Sequence, residues 1–126
     1  MLENFENLKN QTLTSCEGVV GGEELVFTLS TGEKYKLYHR QDCCEIVTIE
    51  DIEGNLSDLV GMPILMAEIA TNQNENPPGV PAPEYQDSFT WTFYRLATVK
   101  GYVTIRWYGE SNGYYSEEVD WSAVED

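Results

Sequence analysis

His39 is the only histidine in the chain, and it lies close in sequence to Asp42, Cys43, Cys44 and Glu45, a cluster that combines imidazole, thiol and carboxylate groups. One chemistry open to these residue types is nucleophilic catalysis. His39 would act as base, Cys43 or Cys44 as attacker, and Asp42 or Glu45 would orient the imidazole. No glycine-rich segment that could form an oxyanion hole flanks the cysteines. Neighbouring carboxylates also disfavour a thiolate rather than promote one. The other chemistry is metal binding, with His39, Cys43 and Cys44 as candidate ligands. Structural zinc sites space their cysteines about two to four residues apart, whereas adjacent residues of a strand point to opposite faces, so only one of the two cysteines can join His39. The residues therefore point to a chain without catalytic residues, metal or cofactor, in which one cysteine packs as a small hydrophobe.

Acid pairs such as Glu50 with Glu68, or Glu110 with Glu117, would suit glycoside hydrolysis if they faced one cleft. With 22 acidic residues in the chain, such pairs are expected by chance. Gly21-Gly22 is followed by Glu23-Glu24, which would repel a phosphate rather than cradle it.

The stretch from Trp107 to Tyr115 suits recognition better than catalysis. Aromatic, amide and hydroxyl groups around a tight turn are the types enriched at protein interfaces. With the acids that follow, they give a candidate partner-binding set of Tyr108, Glu110, Asn112, Tyr114, Tyr115, Glu117 and Glu118. The competing reading is that Trp107 and Tyr115 pack as a cross-strand pair. The charge pattern points the same way as the aromatics. Seven Lys and Arg stand against 22 Asp and Glu, a formal net charge of −15. Ten acids and no Lys or Arg lie between Arg40 and Arg95, and six more acids run from Glu110 to Asp126. This balance disfavours direct binding to nucleic acid or to an anionic membrane surface and favours a basic protein partner.

The elements that must position these groups are mainly strands. The 126 residues, 41% of them hydrophobic, suit one domain over 1–126 with a real core. Leu2, Phe5 and Leu8 have helical spacing and predict a short N-terminal helix against a sheet face. Leu25, Phe27 and Leu29 alternate with more polar residues, as do the runs around Tyr35 and Val47. Asn55 predicts the cap of a brief helix that ends at Gly61. Four of the five prolines fall in 72–86, which reads as a long loop. Two fused hairpins are expected after it, turning at Lys100-Gly101 and at Ser111-Asn112-Gly113. The predicted fold is a single twisted antiparallel sheet or half-open barrel of about seven strands with one or two short helices. The start, MLENFENLKN, lacks a basic region followed by an apolar run, so cytoplasmic residence with free thiols is expected.

The segments YHRQDCCE (Tyr38 to Glu45), IEDIEGNLSDLVGMPIL (Ile49 to Leu65) and WTFYRLATVKGYVTIRWYGESNGYYSEEVDW (Trp91 to Trp121) resemble a group of small acidic uncharacterised bacteriophage and prophage proteins. The resemblance implies a phage setting and carries no catalytic residues. It makes the expected function the binding and modulation or inhibition of a bacterial host protein, such as a defence component. The alternatives are a nucleotide-type ligand sponge using Arg95, Arg106 and Asn112, and an enzyme using His39 and a cysteine.

Overall fold

A computed structural model of the chain describes residues 2–41, 44–73, 88–111 and 116–124. Eight strands, β1 (Leu13–Glu17), β2 (Glu24–Leu29), β3 (Lys34–Tyr38), β4 (Ile46–Glu53), β5 (Met66–Gln73), β6 (Ser88–Thr98), β7 (Gly101–Ser111) and β8 (Asp120–Ala123), form two four-stranded sheets. One has the order β1-β2-β3-β8, the other β4-β7-β6-β5, and every named pairing is antiparallel. The mainly antiparallel β architecture is as expected from the alternation, with the strands divided between two layers. Among the described residues no helix is long and apolar enough to cross a membrane.

Alternation decides what the layers share. Leu25, Phe27 and Leu29 of β2 and Tyr35 and Leu37 of β3 are buried, and they belong to one core with Val47, Ile49, Leu96, Val103, Ile105 and Trp107 of the other sheet. Burying such side chains stabilises the fold by roughly 1.5–3 kcal/mol each. The expected hairpin at Lys100-Gly101 is present, joining two strands of 11 residues each. Gly21-Gly22 has a structural use: Gly21 N–H donates to the Ile49 carbonyl at 2.7 Å and Ile49 N–H to the Gly22 carbonyl at 2.9 Å. This contact covers part of the β4 edge, which would otherwise offer unpaired backbone groups.

The N-terminal element is a single 3-10 turn, Phe5–Leu8, capped by the Asn4 side chain. Phe5 and Leu8 are fully buried. The Phe5 ring meets Tyr94 edge-on at 4.8 Å and Trp121 at 6.2 Å, and Trp121 stacks on Tyr35 at 5.1 Å. Trp121 Nε1 donates to the Leu2 carbonyl at 3.2 Å, and Leu2 N–H donates to the Tyr35 hydroxyl at 2.9 Å. The second expected short helix is also a 3-10 turn, Leu56–Leu59, with Asn55 as its cap.

The turn of the second expected hairpin falls on residues 112–115, which lie outside the described residues, but the strand that follows does not return to β7. β8 pairs with β3 in the opposite sheet, Leu37 facing Trp121, and not with β7. In that position the Trp121 ring, partly buried, packs against Tyr35, Phe27 and Phe5. Trp107 accordingly faces Thr92 and Ile49 across the ladder. Of the expected loop 72–86, Asn72 and Gln73 belong to β5, and the rest lies outside the described residues. Phe5→Ala should lower stability by about 3–5 kcal/mol, and Val99→Ala at the exposed hairpin turn by less than about 0.5 kcal/mol. Urea unfolding midpoints of the two variants check this, and equal midpoints would contradict a core role for Phe5.

Candidate functional site

Between β7 and β8 the chain leaves one sheet and joins the other, and residues 116–119 of that crossing are fastened by polar side chains. Glu117 is 8% exposed, and its carboxylate accepts hydrogen bonds from Thr90 Oγ1 at 2.8 Å and Ser111 Oγ at 2.5 Å. A carboxylate removed from water requires such donors. His39 lies just beyond β3, with Nδ1 2.7 Å from the Glu118 carbonyl oxygen and Nε2 3.2 Å from Glu45 Oε1. A carbonyl only accepts, so Nδ1 carries a proton and donates. The second ring nitrogen faces the buried Glu45 carboxyl. Gly109 permits the close approach, because a Cβ there would stand 2.9 Å from the Glu117 carbonyl oxygen and 3.0 Å from a Val47 methyl.

Beside this crossing the two sheets do not meet fully. A cavity of about 270 Å³ opens there, lined by Ile69 and Thr71 of β5, Thr90, Thr92 and Tyr94 of β6, and Glu118 and Val119 of the crossing. Tyr94 is 4% exposed, and burial, followed by the charge of Asp120, pushes its hydroxyl well above the usual tyrosine range. It therefore remains protonated.

On the outer face of the same sheet the Trp91 ring lies 4.6 Å from Tyr108 and under the Arg106 guanidinium at 5.4 Å. Tyr108 donates to Glu110 at 2.9 Å. A bulge between Ile49 and Asp51 breaks the alternation and lets both Glu50 and Asp51 pair with Arg106.

The residues singled out in the sequence are thus distributed over several places. Tyr108 and Glu110 lie on the outer face of β7, Glu118 is exposed at the crossing, and Glu117 is turned inward. Asn112, Tyr114 and Tyr115 lie outside the described residues, as do Asp42 and Cys43. His39 and Glu45 are brought together, but Cys44 is disulfide-bonded and not the expected free thiol, which removes it as nucleophile and as metal ligand. Both nitrogens of His39 are occupied. Among the described residues no group of three His, Cys, Asp or Glu is arranged to hold a metal. Glu50 and Glu68 lie on opposite edge strands of their sheet, and Glu110 and Glu117 on opposite faces, so neither pair shares a cleft. Thr90, Thr92 and Ser111 were not singled out, although polar residues in register with buried Leu96 and Tyr94 were a readable sign of an inward polar site.

These features define an acidic two-layer β-sandwich whose sheet-to-sheet crossing is held by a buried polar network. The chain belongs to the family described as Domain of unknown function (DUF7448), which matches residues 6–121. Comparison with curated proteins and with solved structures gives no match.

Thr90→Val removes one donor to a buried carboxylate and should cost about 1–3 kcal/mol, whereas Thr92→Val should stay within about 0.5 kcal/mol. Chemical denaturation of both variants tests the network. The Cys16 thiol is pushed up to about 12 by burial, with Glu17 adding to it. Because the folded state holds this proton more tightly than the unfolded state, the stabilisation is complete below the ordinary thiol value of 9.0 and is lost as pH rises from there towards 12. The denaturant midpoint should therefore fall above pH 9, and the fall should be shallower in Cys16→Ala.

Proposed function

We propose that this protein is a non-catalytic binding module that engages a basic surface of a protein partner. The observation that carries the reading is the surplus of uncompensated surface acid. Ion pairs to Lys or Arg among the described residues involve Glu24, Glu50 and Asp51. Glu3, Glu6, Glu17, Glu23, Glu53, Glu68, Glu118 and Asp120 are exposed without such a pair. Fields of one sign steer a complementary partner and make association sensitive to salt. The engagement of His39 in structural hydrogen bonds and the disulfide at Cys44 favour binding over Cys/His catalysis.

The contact surface of this reading is the end of β7 around Tyr108 and Glu110, the sequence that follows with Asn112, Tyr114 and Tyr115, and exposed Glu118. Resemblance of the motif stretches to phage and prophage proteins supports a bacterial host protein as the partner. The nucleotide alternative lacks its cations. Arg106 is neutralised by Glu50 and Asp51, and Arg95 lies over Phe93, on the opposite face of β6 from the cavity.

Capture from host lysate, followed by kinetics with the captured protein, tests the reading. Glu110→Lys with Glu118→Lys should slow association about tenfold or more at low salt and flatten its salt dependence. Unchanged rates in that double variant would overturn the reading at this surface.

A further inference from the structure

The cavity beside the crossing has a chemistry of its own. Its volume of about 270 Å³ falls below the roughly 300–1,000 Å³ of sites that enclose drug-sized ligands. It suits one side chain or a small amine rather than a nucleotide. No lysine, arginine or histidine lines it. Its polar groups are the hydroxyls of Thr71, Thr90, Thr92 and Tyr94 and the carboxylate of Glu118, while Ile69 and Val119 supply apolar wall. Ile69 is 41% exposed, an uncovered aliphatic surface on the inner face of an edge strand. Tyr94 belongs to the same lining, its ring buried in the core.

Hydroxyl and carboxylate oxygens converging beside an aliphatic wall complement a donor-only head on an alkyl stem. An ammonium carries three donors and no acceptor. A guanidinium would take both oxygens of Glu118 in its planar fork, whereas the other polar groups of the described lining are single hydroxyls spread over two strands, which suit the diverging donors of an ammonium. The Glu118 backbone is held by His39, which keeps this residue beside the cavity it lines.

We propose that this groove receives a primary alkylammonium group, presented as a lysine side chain of the basic protein partner, a proposal that rests on the binding reading above. The lysine stem runs along Ile69 and Val119, and its ammonium meets Glu118 and the threonine and tyrosine hydroxyls. The groove then supplies a specific anchor within an otherwise diffuse electrostatic attraction.

The test uses n-butylammonium and the isosteric neutral n-butanol as probes of the full chain, followed by amide NMR shifts at fixed ionic strength. Saturable shifts confined to Ile69, Thr71, Thr92, Tyr94 and Val119 are expected from the amine, with the alcohol at least about tenfold weaker. Glu118→Gln and Tyr94→Phe should each weaken the amine, the former about tenfold, the loss of one charge-assisted contact. Thr92→Val should weaken it with the fold intact. Equal binding of alcohol and amine, shifts scattered over the acidic surface, or indifference to Glu118→Gln would overturn the proposal. Partner capture by Thr92→Val separates the two readings. Salt-sensitive capture with no amine in the groove leaves the binding module standing and removes the groove. A groove that takes the amine while the Glu110→Lys, Glu118→Lys variant captures its partner at an unchanged rate removes the module and leaves a free-amine site.

Discussion

The fold depends on satisfying a stretch of chain that belongs to neither sheet. Between β7 and β8 the backbone leaves its ladder before joining another, and buried peptide groups without partners carry a penalty of about 1–3 kcal/mol each. His39 meets the Glu118 carbonyl, Thr90 and Ser111 meet the Glu117 side chain, and Gly109 leaves room for the approach. With the crossing fixed, β8 lies on β3 and Trp121 enters the aromatic cluster. β8 has only four residues, against eight in β5, so the layers remain apart along one edge. The cavity is therefore a result of how the chain changes sheets.

The same arrangement shows how a chain so rich in acid keeps a compact core. The buried carboxyl groups, Glu45 and Glu117, are held by an imidazole and by two hydroxyls. The other described acids stay mainly at the surface, where water reduces their mutual repulsion to fractions of a kcal/mol per pair beyond about 10 Å. The self-repulsion that persists is a cost to compactness that a complementary partner removes on binding.

Much of this organisation was legible in the sequence. The period-two runs around Phe27 and Val47 identify buried faces, the hairpin at Lys100-Gly101 is local, and Asn55 announces its cap. The strand that follows Tyr115 was misread because a run of the right composition near an Asn-Gly turn suggests return to the preceding strand, while its true partner, β3, is distant in sequence. Alternation also separates Phe89, Trp91 and Phe93 from Thr90, Thr92 and Tyr94 without saying which set faces the other layer. Here the threonines face inward, against what hydrophobicity alone suggests. The proximity of His39 to Glu45 was visible, but its contact with the Glu118 carbonyl leaves no trace in residue type, since every residue carries that acceptor.

Trp121 donates to the carbonyl of Leu2 and packs on Phe5, so the first and last elements of the domain close over each other. During synthesis the early strands are then without their cover until β8 has left the ribosome, and Phe27, Tyr35 and Leu37 wait on a tryptophan translated more than eighty residues later. The same adjacency brings the two ends of the described chain side by side. A short peptide joining them, with new termini opened at the exposed turn Thr31-Gly32, should give a circularly permuted protein in which the cover is no longer the last part to be made.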